Sequence, residues 1–198
     1  MERKHRTQAQ RSAATRAALI AAARRLFAER GYAAVGTPEV VAAAGVTRGA
    51  LYHQFAGKAE LFLAVYEALE QELAERVGEQ VAAGGATDPL DALTLGAEAF
   101  LDACAEPEVQ RIVLIEAPAV LGWDTWRAIG LKYGLGLTEA ILRAAMEAGR
   151  IAEQPVRPLA HVLIGALDEA ALYVARAADP AAARDEMRAV LRRIVGGL

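Results

Sequence analysis

The densest chemistry in the chain lies between residues 47 and 58. Thr47, Arg48, Gly49 and Ala50 make a slim, positive, amide-rich start to a short helix, and Tyr52, His53 and Lys58 follow. Backbone N–H groups at such a helix end can meet phosphate. Arg48 can reach a phosphate or a guanine edge, and only the second carries base information. Thr47 is placed for base edges or nearby phosphates, and His53 could touch nucleic acid from the same face. Arg3, Lys4, Arg6, Arg11 and Arg16 form a basic arm that would add salt-sensitive attraction and could enter a minor groove. Each of these side chains also has a plainer reading as solvated or packed surface. Gly49 suits close approach to DNA and to neighbouring helices equally well.

Other chemistries have little support. The histidines are His5, His53 and His161, and two of them lie in this basic head. There is no HExxH, no P-loop and no dinucleotide fingerprint. Glu116, Asp168 and His161 would need to share one cleft for acid–base work. A single cysteine, Cys104, excludes an intramolecular disulfide framework and a multi-cysteine zinc site. No enzyme activity, cofactor or metal is therefore expected.

The elements that must position these residues read as helices. No stretch sustains a period of two with β-branched enrichment, and alanine, the best helix former, is abundant. A first helix is predicted over 15–30, a second over 38–44 with Thr37 as its cap, and a third over 48–55 capped by Thr47. A long fourth helix is predicted over 58–82. Further helices are placed near 89–105, 107–115, 122–148, 156–177 and 180–195, with Pro118 separating two segments. Charge divides along the same line. Residues 1–60 hold ten Lys or Arg and four Asp or Glu, a formal +6; residues 61–198 hold twelve and twenty-one, a formal −9. A basic head on an acidic body suits a head that meets a polyanion. The 198-residue chain is 55% hydrophobic, has no 18-residue apolar run, and starts without the apolar core of a signal peptide, so a soluble, cytoplasmic protein with no membrane partner is expected.

Residues 37–61, TPEVVAAAGVTRGALYHQFAGKAEL, are two short helices around a tight turn at Gly45, with Val40, Val41, Val46, Leu51 and Phe55 as an apolar seam against the first helix. This is a helix-turn-helix pattern. The segment resembles the TetR family of bacterial transcriptional regulators. The resemblance rests on Phe27, Gly31, Thr37, Val41-Ala42, Ala44-Gly45-Val46-Thr47, Gly49, Leu51-Tyr52, Gln54-Phe55, Lys58 and Leu61, about 45 residues with matching spacing. Arg111–Arg127, RIVLIEAPAVLGWDTWR, also looks like a run from one subgroup of that family. Three positions depart from the pattern. Gln54 replaces a usual histidine, Ala59 a usual glutamate, and Gly57 a usual capping residue, while Glu60 keeps half of a capping box.

The resemblance implies an all-α fold of about nine helices: a three-helix DNA-binding head joined to a larger antiparallel helical body. It implies domains at 1–14 (basic arm), 15–60 (helix-turn-helix) and 61–198 (ligand binding and dimerisation). It gives Thr37, Tyr52 and Lys58 phosphate contacts. It also implies a homodimer through the last two helices, where Leu159, Val162, Leu163, Ala166, Leu167, Ala170 and Tyr173, then Met187, Val190, Leu191 and Ile194, recur at helical spacing. Such a dimer would present two heads to a near-palindromic double-stranded operator. Phe100, Cys104, Leu114, Trp123, Trp126, Tyr133, Met146, His161 and Leu167 are candidate lining residues for a hydrophobic or amphipathic small-molecule effector, and each also has a core reading. The function expected is a transcriptional repressor released by that effector. The alternatives are a DNA-binding dimer without an effector and a purely helical scaffold.

Overall fold

The computed structural model describes residues 8–198. Nine helices and no strand occur among the described residues. The head holds α1 (Gln8–Arg30), α2 (Thr37–Ala44) and α3 (Arg48–Gln54). The body holds α4 (Lys58–Ala83), α5 (Pro89–Cys104), α6, α7 (Trp123–Glu147), α8 (Val156–Arg176) and α9 (Pro180–Gly196). Helix α6 is composite. Pro107–Val109 leads into a π-helical stretch, Gln110–Glu116, and then into Ala117–Leu121.

Several predicted boundaries move. Helix α1 begins at Gln8, so Arg11 and Arg16 of the predicted arm stand on a helix. Arg16 lies over the Phe55 ring, 4.6 Å from its centroid. Arg3, Lys4 and Arg6 lie outside the described residues. Gly36, not Thr37, caps α2, because the Glu39 carboxylate accepts the Gly36 N–H at 3.1 Å. Thr37 is thereby the first helical residue. Pro118 does not end its helix. The Ala117 N–H bonds to the Ile112 carbonyl five residues back, and this widened turn carries the chain into a proline that lacks an amide donor. The half capping box expected at α4 shifts by one residue: Gly57 is the N-cap, but Glu60 accepts the N–H of Ala56 before it, at 2.5 Å.

The turn between α2 and α3 requires Gly45. Its φ is +65°, a left-handed conformation that side-chain-bearing residues adopt at a cost, and its N–H closes back onto Ala42. Thr47 then starts α3 by accepting the Ala50 N–H at 3.2 Å. Val40, Leu51 and Phe55 are buried against α1 through Leu19, Ala23 and Phe27. The seam does not stop at the head. Phe27, Tyr32 and Phe62 form an aromatic trio with centroids 5.0–5.7 Å apart, and the same core continues through Val65, Leu101, Ile112 and Trp126. A second, smaller core gathers Leu93, Leu142, Ala145, Ile151, Ala160 and Val195 at the far end of the body.

Helix α8 is long and apolar enough to cross a membrane by length and mean hydropathy (1.3), although no uninterrupted apolar run spans it. Ala160, Ala170, Ala171 and Val174 are its buried side, packed among the other helices. Val162 and Tyr173 are its exposed apolar side chains.

Candidate nucleic-acid interface and adjoining cavity

Helix α3 is too short to be stable alone, so its exposed side is held in place by what lies beneath it. Leu51 and Phe55 bury the underside. Gln54 adds a lateral tie, its amide donating to the Ser12 hydroxyl of α1 at 2.7 Å. The residue that departs from the family pattern thus locks α3 to the extended start of α1.

Above that anchor, Thr47, Arg48, Gly49, Tyr52 and His53 are exposed. Residues 49, 52 and 53 share one helical face, and Arg48 lies four residues from Tyr52. The Arg48 guanidinium sits 5.5 Å from the Tyr52 ring centroid. The Tyr52 phenol is held below its ordinary pKa by its hydrogen bond with Thr37 and then by Arg48. Thr37, Arg48 and Tyr52 therefore form one contiguous polar surface across α2 and α3. A Cβ on Gly49 would have the Thr47 hydroxyl 4.0 Å away as its nearest neighbour. No neighbouring helix requires a glycine there.

Lys58 does not project with the others. Its ammonium donates to the Tyr32 carbonyl at 2.9 Å and the Val35 carbonyl at 3.1 Å, and it lies 4.1 Å from the Tyr32 ring centroid. Two of its three donors are committed to the loop between α1 and α2.

That loop is also held from the body. The Glu116 carboxylate accepts the Tyr32 N–H with both oxygens at 2.9 Å. Gly31, at φ +84°, leaves room for it, since a Cβ there would stand 2.6 Å from a Glu116 oxygen. Glu116 belongs to the π-helical stretch whose Val113 and Leu114 line a cavity in the body. Arg24 makes a second strap, with ion pairs of 2.7 Å to Glu72 on α4 and to Glu108 on α6. Glu116, named in the sequence as one of three groups that acid–base work would need in one cleft, joins head to body instead.

The cavity holds about 140 Å³ and is walled by α4, α5, α6, α7, α8 and α9. Phe100, Leu114, Trp126, Tyr133 and Leu167 line it. Cys104, Trp123 and His161 do not. Cys104 is buried in the core behind the cavity, and burial pushes its thiol pKa up, away from reactivity. Trp123 is 63% exposed because it follows Gly122 at the first turn of α7, and it stacks at a tilt on Trp126 with centroids 4.9 Å apart. His161 contributes its backbone carbonyl, which accepts from Arg127 at 3.1 Å. Met146 belongs to a separate shallow surface pocket.

Three charged residues line the cavity: Glu70, Arg127 and Asp168. Arg127 and Asp168 pair at 2.5 Å. Burial raises the Asp168 carboxyl to about 6, with Arg127 opposing the rise. Burial raises Glu70 to about 7, against a lowering hydrogen bond with Tyr66 and with Asp168 adding to the rise. Sequence reading named Asp168 but missed Glu70 and Arg127. Glu70 was detectable. It lies four residues beyond Tyr66 and three before Leu73, a position that helical periodicity assigns to the buried side of α4.

The exposed cationic helix start, the glycine with no internal purpose and the left-handed turn at Gly45 are together a helix-turn-helix surface. Residues 19–65 match the family model "Bacterial regulatory proteins, tetR family", and residues 90–198 match "Tetracyclin repressor-like, C-terminal domain". The chain belongs to the TetR family. It is 30% identical over 151 residues to the transposon Tn10 TetC protein of Escherichia coli, across 76% of this chain and 75% of that one. It is 42% identical over 104 residues to the HTH-type transcriptional regulator CymR of Pseudomonas putida, a match that spans 52% of this chain and 51% of CymR. A TetR-family regulator from Pectobacterium atrosepticum superimposes with a TM-score of 0.82 at 36% identity, covering 98% of this chain and 97% of the other. This TetR-family member is thus a DNA-binding transcriptional regulator, and its relatives are regulators, not enzymes.

Proposed function

We propose that this regulator is a cytoplasmic homodimeric repressor whose grip on a near-palindromic operator is released when a small apolar or amphipathic ligand fills the body cavity. Residues 15–60 serve as the reading head, extended by the helical start of α1, and residues 61–198 serve as the sensing and dimerising body. Arg48 and Thr47 meet base edges or adjacent phosphates. Tyr52, Thr37 and His53 meet the backbone. The remaining Lys58 proton is available to a phosphate at the rim.

The observation that carries ligand gating is one connected path. Val113 and Leu114 wall the cavity, Glu116 follows within the same π-helical stretch, and Glu116 holds the Tyr32 amide at 2.9 Å. Lys58, at the start of α4, holds the Tyr32 carbonyl from the other side. Helix α4 itself carries Glu70 and Leu73 into the cavity wall. A ligand that favours another packing of α6 or α4 therefore acts on the head through Tyr32. It shifts the balance only by its differential affinity for the two packings. A regulator without an effector would be better served by a filled interior, and the cavity favours the gated reading.

Exposed Val162, Tyr173, Val190 and Ile194 on α8 and α9 supply the apolar face for the second copy. The test is operator binding by fluorescence anisotropy against salt. The proposal expects a steep fall in affinity between 50 and 200 mM salt, in line with several phosphate contacts, and weaker binding once the effector is added. Equal affinity for operator and scrambled DNA would refute it.

A further inference from the structure

We infer that the cavity selects a one-ring aromatic compound carrying an uncharged hydroxyl or amino donor, received by Glu70, and that it discriminates against carboxylates. This rests on the reading of the cavity as the effector site. Volume sets the first limit. A dry apolar cavity of roughly 150 Å³ holds one benzene, and this cavity holds about 140 Å³. Phe100, Leu114, Trp126 and Leu167 supply flat and aliphatic walls for such a ring.

The polar inventory sets the second limit. Most donors facing the cavity are already used within the protein. The Trp126 indole N–H donates to the Val113 carbonyl at 2.9 Å, and the Thr138 hydroxyl donates to the Gly134 carbonyl at 3.1 Å. The Tyr133 hydroxyl is turned to Glu67 at 3.4 Å. Arg127 commits one terminal nitrogen to Asp168 and the other to the His161 carbonyl. Tyr66, hydrogen-bonded with Glu70, is also drawn to the Trp126 carbonyl at 2.9 Å. The acceptors are the opposite case. Among the described residues Glu70 forms no ion pair, although it is only 8% exposed. The cation in the cavity wall, Arg127, is engaged by Asp168. A cavity whose donors are mostly engaged, and whose Glu70 carboxyl has no cationic partner, asks its ligand for a proton to share. A carboxylate ligand adds a further negative charge beside Glu70 and Asp168 and brings no donor.

Gly130 keeps space for that contact. A Cβ there would stand 3.8 Å from Glu70 Oε1 and 4.0 Å from the Tyr66 hydroxyl. The glycine costs α7 helix propensity and leaves a gap directly beside the carboxyl.

The experiment uses the full-length protein carrying Trp123→Phe, which leaves Trp126 as the only indole. Quenching of Trp126 is titrated with phenol, aniline, toluene and benzoate, and circular dichroism verifies folding of each variant. Phenol and aniline are expected to bind at least about ten-fold more tightly than benzoate, the factor that one hydrogen bond to a buried carboxyl supplies. Glu70→Leu should remove about that factor for phenol and leave toluene nearly unchanged. Gly130→Ala, which adds helix propensity, should weaken phenol and toluene alike by filling the gap. Benzoate binding as tightly as phenol, phenol binding unchanged in Glu70→Leu, or no quenching by any of the four would overturn the inference. Operator anisotropy run in parallel separates the two readings. Release by benzoate would keep ligand gating and sink this selectivity. Glu70-dependent phenol binding without release would keep the selectivity and sink the gating.

Discussion

Gly49 gains nothing inside the protein, which makes it a direct probe of what happens outside it. Alanine is the better helix former by up to about 1 kcal/mol. Gly49→Ala should therefore hold or raise the melting temperature while weakening operator binding, because the added methyl enters the gap between α3 and DNA. Arg48→Ala should cost about 1–3 kcal/mol of operator affinity and relax preference at one base step if the guanidinium reads guanine. Anisotropy with single-base operator variants measures both. Glu70 supplies a prediction in pH. Its folded value is raised to about 7 from 4.5, so the native state holds a proton that the unfolded chain has released between those values. That stabilisation is fully present below about pH 4.5 and is lost as pH rises through 7. Asp168, raised to about 6, adds in the same direction. Glu70→Gln should raise stability at pH 8 by on the order of 2 kcal/mol and change it little at pH 4.5, read from urea unfolding at the two pH values.

Among the elements, the π-helical stretch and the α1–α2 loop form the junction on which the proposed control turns. Glu116→Ala should leave effector binding in the cavity intact and weaken its effect on operator release, measured by comparing ligand titrations with and without DNA. Gly31→Ala should be costly, at least about 1 kcal/mol, since φ +84° and the Glu116 oxygen both exclude a Cβ. Helix periodicity and capping rules were enough to locate α2, α3 and α4 almost to the residue, because local signals at Gly45, Thr47 and Gly57 decide them. They failed where a distant partner decides. Lys58 reads as an exposed cation at a helix start, yet two carbonyls of a loop more than twenty residues earlier capture it. Glu116 reads as a free acid near apolar residues, and its partner amide lies 84 positions away. Trp123 and Trp126 are indistinguishable as residue types. The break at Gly122 turns the first outward, and the fold buries the second. Thr37 lost its cap role to Gly36, whose N–H the Glu39 carboxylate accepts, a competition that sequence spacing allowed either way.

At the scale of the whole molecule, the same α8 and α9 surfaces bound the cavity and present apolar side chains to solvent. Ile194 does both: it lines the cavity and is 42% exposed. A second copy packed on this face would therefore close one side of the cavity as it pairs the heads. Val190→Asp with Ile194→Asp should convert the protein to monomers in sedimentation velocity and reduce operator affinity steeply, since each head alone makes half the contacts. The charge division between basic head and acidic body would, in the proposed complex, turn the cationic side toward DNA.

The most direct test of the account is selection of operators from random duplex DNA by the purified wild-type protein, followed by affinity measurement with Arg48→Ala. The account predicts a near-palindrome whose half-sites lie about 34–36 Å, or a multiple, apart, bound tightly by the wild type and at least about five-fold more weakly by the variant. Selected sequences with no common motif, bound equally by both proteins, would contradict it.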